Sequence, residues 1–448
     1  MKKSLVALAV LAASGAYAQS SVTLYGIVEA TTDIGYNRTQ DSTLTLNQFN
    51  AAGVQTGSST TSTTSAQKNN FRVQDGNSQG TGTSRIGFRG TEDLGGGLKA
   101  NFLLEMGLRI DDGCTTLSAA GGCDNGGNSG NSGGSTFGRN AWGGLSGAFG
   151  EVRVGRQVLG SFGVQANSVA AGASNGLYEV SATQYLPMGG VRFSNAIKYL
   201  SPNLGGFTAN ITLAAPETIG NTASTGATTN TASRRTGVDL ALEYANGPAY
   251  VGFGYNKRDN GNVTSVATPV VGGSSVVNLS PGTATAYTIG GAYDLGVVKP
   301  FINYTRETGN TSGSLVAPAT FPTGAASANS TARALSIGLR APVGAFTVIA
   351  GYGRVNTDSN TSIVSTTGGG VSTFTAGNEK VKRDAFQLGA QYALSKRTLV
   401  EANYGYTKVR GDLNATETTN IVGSGRGELT GRANERISAL NVGLKHSF

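Results

Sequence analysis

The chain has 448 residues, of which 68 are Gly, only 13% are Asp, Glu, Lys or Arg, and one is His. Soluble globular domains carry about 25% charged residues and about 7% Gly; this composition argues against an ordinary soluble enzyme, and one His with two Cys leaves little for metal sites, Ser–His triads or redox relays. The formal charge is +8, with two of the lysines inside the first three residues. Gly shows no period of three, which excludes collagen. After residue 18 no apolar run approaches the 18 residues or so that a membrane-spanning helix needs. Two classes stay open: a β-rich membrane barrel and a Gly/Ser/Thr-rich extracellular solenoid.

Met1 to Ala18 reads as a secretory signal. Lys2 and Lys3 form its basic start, Leu5 to Ala13 its apolar stretch, and Ala16-Tyr17-Ala18 a small-residue cleavage site. The mature chain is expected to begin at Gln19, exported across a bacterial inner membrane, and residues 19–448 form one unit.

Sixteen segments of strict apolar/polar alternation follow. Their cores are 21–35, 83–91, 97–109, 136–146, 150–157, 191–200, 205–214, 234–245, 248–257, 284–294, 297–307, 332–341, 345–355, 382–394, 397–409 and 435–448. In the third, Leu98, Ala100, Phe102, Leu104, Met106 and Leu108 fall on one face, and Lys99, Asn101, Leu103, Glu105, Gly107 and Arg109 on the other. In the eighth, Val238, Leu240, Leu242 and Tyr244 oppose Asp239, Ala241 and Glu243. A helix would mix these sets, whereas a strand keeps them on opposite faces.

The connections alternate short and long. Short ones, such as Asn246-Gly247 and Pro342-Val343-Gly344, carry residues that supply tight-turn dihedrals. Long ones (36–82, 110–135, 215–233, 258–283, 308–331, 356–381 and 410–434) are rich in Gly, Ser, Thr and Asn. An antiparallel barrel with turns on one rim and loops on the other predicts this rhythm, whereas a solenoid predicts a fixed period. Tyr and Phe at segment ends, including Tyr36, Tyr244, Tyr304, Tyr404 and Phe448, suit the headgroup level beside an apolar belt. Cys114 and Cys123 lie in the loop after the third segment; in an oxidising compartment they are expected to form a disulfide, the alternative being a two-Cys metal site.

The inward faces are polar or Gly and cannot make a dry core, since each buried polar group without a partner costs about 1–3 kcal/mol. Sixteen strands leave an aqueous lumen, and the chemistry implied is passive conduction, with no catalytic set, no cofactor and no nucleic-acid partner. Alternation turns Arg85 and Arg89 inward, because Ile86 and Phe88 face lipid. It turns Arg139 inward with Trp142 on the other set, and Arg153 inward between Val152 and Val154. Arg192 and Lys198 follow the same rule. The alternative for each Arg is a wall ion pair with Glu29, Glu105 or Glu151. His446 falls on the lipid-facing set. Gly423-Ser424-Gly425-Arg426-Gly427 lacks the strand and helix of a phosphate loop.

Three stretches resemble a known family: Ser21-Val22-Thr23-Leu24-Tyr25-Gly26, Ser84 through Leu98 (SRIGFRGTEDLGGGL) and Gly150 through Gln157 (GEVRVGRQ). With the terminal Phe448, they are similar to Gram-negative general porins of the β-proteobacterial and neisserial type. The resemblance covers almost all of the mature chain and carries little in the loops. It implies a homotrimer of sixteen-stranded antiparallel transmembrane β-barrels in the cell outer membrane. Membrane lipid, lipopolysaccharide, small ions and hydrophilic solutes would be its partners.

It also implies a third long loop folded inside the barrel, here 158–190. Phe162, Leu177, Tyr178, Tyr185, Leu186, Pro187 and Met188 supply that loop with apolar surface; a surface Ω-loop is the alternative. The family's constriction arginines fall on Arg85, Arg139 and Arg192, with Arg153 added by the inward pattern. The loop's only carboxylate is Glu179, so mild anion selectivity is expected. Phe448 is expected to be read by the barrel assembly machinery. The expected function is a general diffusion porin; the alternatives are a substrate-specific channel and a loop-displaying adhesin.

Overall fold

The computed structural model describes residues 21–50, 52–75, 84–108, 136–169, 191–216, 236–260, 282–316, 323–367, 370–419 and 427–448, with short pieces at 110, 113, 222–224, 227–229, 263–266 and 276–280. In chain order the strands are β1 (Ser21–Phe49), β2 (Gln55–Asp75), β3 (Arg85–Gly95), β4 (Leu98–Gly107), β5 (Asn140–Gly147), β6 (Gly150–Val158), β7 (Arg192–Leu200) and β8 (Phe207–Ala214). They continue as β9 (Thr222–Ser224), β10 (Ala227–Thr229), β11 (Gly237–Asn246), β12 (Ala249–Asn260), β13 (Val263–Val266), β14 (Val276–Ser280), β15 (Gly282–Tyr293) and β16 (Lys299–Val316). The last are β17 (Thr323–Val343), β18 (Phe346–Thr367), β19 (Gly370–Ala393), β20 (Thr398–Thr419) and β21 (Gly427–Ser447). One helix, α1 (Gly160–Asn167), follows β6.

Sixteen of these strands form the wall: β1, β3 to β8, β11, β12 and β15 to β21, each antiparallel to its neighbours. The sheet closes because β1 pairs with β3 through Ser21–Ile27 and with β21 through Ile27–Gln48. Phe448 completes the seam, its N–H donating to the Gly26 carbonyl at 3.1 Å and its carbonyl accepting from the Gly26 N–H at 3.2 Å. Closure leaves no unpaired edge, as a backbone in hydrocarbon requires. No helix among the described residues is long and apolar enough to cross a membrane; the crossing is made by strands.

The faces divide by alternation. Outward positions such as Leu24, Phe88, Val154, Ile197, Ile211, Val251, Ile289, Ile337, Leu388 and Leu444 are exposed and apolar. Inward positions such as Thr31, Glu105, Thr212, Asn256, Thr305, Gln387 and Asn403 are polar. This is the inverse of a soluble fold and matches a barrel with lipid outside and water within. Gly247 and Gly344 sit in short turns at φ +55° and +61°, a conformation other residues adopt only at a cost.

The sequence boundaries are corrected at the long-loop rim. Residues 36–49 and 55–75, expected as loop, form a hairpin with Tyr36 opposite Asn69 and Thr45 opposite Thr60. The connections 308–331, 356–381 and 410–434 are largely strand as well, with Thr323 still facing Thr366. Alternation of hydrophobicity stops where the membrane stops, but ladder hydrogen bonds need only backbone, and Thr-rich stretches suit a pleated sheet.

Candidate functional site

The lumen is furnished mainly from the short strands β3 to β7. Glu105 on β4 is buried and faces inward. A buried carboxylate is tolerated only when paired and hydrogen-bonded, and four groups meet it. Arg139 Nε stands 2.8 Å from Oε1 and Arg85 Nε 3.5 Å from Oε2. The Tyr25 hydroxyl donates to Oε2 at 2.8 Å and the Asn140 amide to Oε1 at 3.1 Å. Arg192, at the start of β7, lies within Coulombic reach of Arg139, Arg156, Arg85 and Glu105. Arg85 on β3, Arg139 just before β5 and Arg192 on β7 are therefore brought together.

Arg156 is the member that sequence reasoning missed. Alternation places it on the outward set, and it stands at an irregularity of the β6–β7 pairing, where Arg156 alone lies opposite both Ser194 and Asn195 of β7. Gly155 has φ +127°, and a Cβ there would lie 2.3 Å from the Ala141 carbonyl, so the kink requires glycine. Such a bulge re-aims the neighbouring side chain. Arg156 donates to the Gly138 carbonyl and to Ser194 Oγ, both at 2.6 Å. A Gly followed by Arg inside a strand pattern was the available signal.

The other predicted residues line the same wall without joining this cluster. Arg153 pairs with Glu151 at 2.7 Å and stacks 4.1 Å from the Trp142 ring. Lys198 faces Arg153 in register and donates to the Val158 carbonyl at 3.0 Å. Arg89 is exposed, 5.4 Å over the Tyr25 ring. The assignment of Trp142 to the face opposite Arg139 is corrected. Trp142 shares its face with Asn140, which reaches Glu105, while Arg139 precedes the first residue of β5 and is not bound by the pleat. Arg85, Arg139 and Arg153 are thus ion-paired in the wall, the alternative that alternation left open. Glu179, Cys114 and Cys123 lie outside the described residues.

The loop after β6 begins inside the barrel. Leu159 packs with Phe193 and Ala196, and Phe162 and Ala214 lie against them. Then α1 docks on the inner wall. Its first backbone N–H groups have no helical acceptor, and Asp239 on β11 supplies one. The carboxylate accepts from Gly160 N–H at 2.8 Å, from Ser161 N–H at 3.3 Å and from the Ser161 hydroxyl. A carboxylate also complements the helix dipole at that end.

At the other end Gln165 donates to Thr305 Oγ1 at 3.1 Å, and Asn303 donates to Ser168 Oγ at 2.8 Å. Glycines make the close approach possible: a Cβ on Gly290 would fall 2.1 Å from Ser168 Oγ, and one on Gly254 2.7 Å from Ser161 Cα. The sequence marked Asp239 as inward-facing but not its partner, 79 residues earlier in the chain. Residues 170–190 of the expected constriction loop lie outside the described residues.

A closed barrel, apolar outside and polar inside, with a basic cluster and a helix held within its lumen, defines a transmembrane channel. Comparison with known proteins names the class. Residues 4–412 match the family model described as Gram-negative porin, and the chain belongs to that family. It is similar to outer membrane porin protein 32 of Delftia acidovorans, 36% identical over 67% of this chain and 68% of the relative. It is also similar to an outer membrane porin protein of Bordetella pertussis, 29% identical over the full length of both.

Among solved structures, the loop-deleted OmpT of Vibrio cholerae superposes with TM-score 0.51 at 14% identity, covering 96% of this chain and 99% of that one. The anion-selective porin from Comamonas acidovorans is 25% identical with TM-score 0.49, over 96% and 100%. The protein is an outer-membrane porin, a general diffusion channel.

Proposed function

We propose that the pore passes small hydrophilic solutes and ions with a mild preference for anions. The observation that carries this reading is the pairing of Arg85 and Arg139 with Glu105, with Arg192 in Coulombic reach of all three, on one side of the lumen. Rings and clusters of Arg or Lys favour anions in narrow water-filled pores. The segment 158–190, held at its start by Asp239, narrows the passage there, and Glu179 belongs to it. Arg89, Arg153 and Lys198 extend the basic wall to either side. The role is conduction, with no reaction catalysed.

The same reading includes export by residues 1–18, a Cys114–Cys123 disulfide and assembly into a homotrimer. It includes outer-leaflet lipid and lipopolysaccharide around the barrel, and recognition of Phe448 by the assembly machinery. The test is single-channel recording of refolded protein under a KCl gradient. Ohmic steps in groups of three with a reversal potential of anion sign are expected; a cation-signed potential defeats the selectivity reading.

A further inference from the structure

The inner face of the tall wall is furnished differently from that of the short half. Alternation on β17 to β21 turns Gly338, Gly351, Gly353, Gly389, Gly405 and Gly443 toward the lumen, since Ile337, Arg354, Leu388, Tyr404 and Leu444 beside them are exposed on the outer face. Register joins these glycines across the wall: Gly338 faces Gly351, Gly351 faces Gln387, and Gln387 faces Gly405. Positions without a side chain leave the wall recessed, and glycine inside a strand marks a place where another body approaches closely.

Among the glycines stand four neutral polar residues, Ser336, Gln387, Asn403 and Asn441, each at most 4% exposed. Gln387 donates to Asn403 Oδ1 at 3.3 Å, and Asn441 donates to Asp33 Oδ1 at 3.1 Å. Gln387 Oε1, Asn403 Nδ2, Asn441 Oδ1 and Ser336 Oγ have no hydrogen-bond partner among the described residues. A polar atom withdrawn from water and left unmatched is costly, and few native groups stay so. Asn403 faces Asn441 on one side and Gly389 on the other. A Cβ on Gly389 would fall 1.9 Å from Asn403 Oδ1, so glycine keeps the space this amide occupies. Two bordering carboxylates are engaged within the wall: Glu401 accepts from Gln391 at 2.9 Å, and Glu29 lies 3.9 Å from Lys445.

The same wall shows which chemistry it accepts. On β15 and β16 the neutral row of Thr288, Asn303 and Thr305 is met by the chain's own inner segment. There the Gln165 amide donates to Thr305, and the Ser168 hydroxyl accepts from Asn303. Ser336 stands in register with Asn303, so the two rows are continuous. One end of the row takes an amide and a hydroxyl, and the other end has unmatched donors and acceptors above a glycine floor. A hydroxyl gives and accepts at one atom, so it answers the Gln387 carbonyl and the Asn403 amide alike. The four residues are neutral, so a charge on the solute gains nothing from them.

The geometry points to a subsite for an uncharged polyhydroxylated solute, a sugar, on the inner face of β17 to β21, across the lumen from the basic cluster. The inference rests on the diffusion-channel reading and deepens it: anions follow the arginines of the short half, and sugars are held along the amides of the tall half.

The test is planar-bilayer recording of the full-length protein with maltose, against glycine betaine at equal viscosity, which has no hydrogen-bond donor. Maltose is expected to lower the open-channel current beyond the betaine level and to saturate with concentration. Gln387→Met/Asn403→Leu replaces both amides by apolar side chains of similar length. The maltose concentration for half-block is expected to rise about tenfold, the weight of one lost hydrogen bond. Arg139→Ala, which acts on ions, is expected to leave that concentration where it was. Heat-modifiable migration checks that each variant is folded. Should the double variant not fold, Gln387→Met alone must still raise the half-block concentration.

Maltose that does no more than betaine, a half-block unmoved in the folded variant, or a half-block moved as far by Arg139→Ala as by the amide variant each overturns the proposal. If no current flows at all, equilibrium dialysis with labelled maltose separates the two readings. Retention by the wild type that the amide variant loses would defeat the channel reading and leave this one standing; no retention would overturn this one as well.

Discussion

Two halves of one barrel differ in height and in regularity. Strands β3 to β8 have 8 to 11 residues; β16 to β21 have 18 to 24. A tilted strand needs about 9–11 residues to cross the hydrocarbon. The short half therefore does little more than span, and the long half rises as far again beyond it. Yet the lumen's chemistry sits on the short half: Glu105, the clustered arginines and the register irregularity at Gly155. Asn195 at φ +50° lies on β7 in that same irregularity. The tall half has an inner face of Gln387, Asn403 and Asn441, with Glu401 and Lys445 among them, and pairs over long, mostly unbroken registers. The short half joins backbone irregularity to the basic cluster; the tall half is mostly regular wall, with inward charges such as Glu401 and Lys445 set singly in it.

The sharpest way to break this contrast is to cut the helix from the wall. Asp239→Ala leaves two buried N–H groups and a hydroxyl without their acceptor, each worth about 1–3 kcal/mol. The expected outcome is a noisier current that gates at lower voltage, read in single-channel traces. Gln387→Ala on the tall wall is expected to leave the trace quiet. Equal noise in both variants would mean that α1 is held by something other than Asp239.

Arg139→Ala removes one guanidinium from the cluster and leaves Glu105 to Arg85 and its neutral partners. The reversal potential is expected to move toward cations at 0.1 M KCl, where the Debye length is about 10 Å, and to move little at 1 M, where it is about 3 Å. A shift that is the same at both concentrations would point to a change in pore width and not in charge.

Gly155→Val imposes a side chain on a positive-φ kink already closed by the Ala141 carbonyl. A loss of about 1–3 kcal/mol is expected, read as a lower temperature for unfolding of the heat-modifiable form. Gly411→Ala on β20, where a Cβ meets nothing closer than 3.8 Å, is expected to fall within about 0.5 kcal/mol of the parent. The smallest effect belongs to the top of the β18–β19 hairpin. Deleting 361–376, beyond the register shift after Ser359, is expected to leave the sign of selectivity unchanged, since that part carries no lumen charge of the short half.

Much of this molecule was legible before its coordinates. Period-two alternation depends only on which residues tolerate lipid and which need water, so sixteen segments, their faces and the inward turn of Arg85, Arg153 and Lys198 follow from residue order. Short turns with Gly and Asn marked one rim for the same local reason.

What tertiary structure alone decided depends on partners far apart in the chain. The wall's height was hidden because a ladder needs backbone and not side-chain contrast. The pairing of Glu105 with Arg139 and Arg85, and the meeting of Asp239 with the start of α1, arise from closure of the sheet. The setting of Arg156 beside Ser194 comes from one extra residue in β7, and the glycine-floored amide face of the tall half from register across its strands. Hydrophobicity acts residue by residue, so a sequence displays it; hydrogen bonds and ion pairs act between neighbours in space, and only the closed barrel makes these residues neighbours.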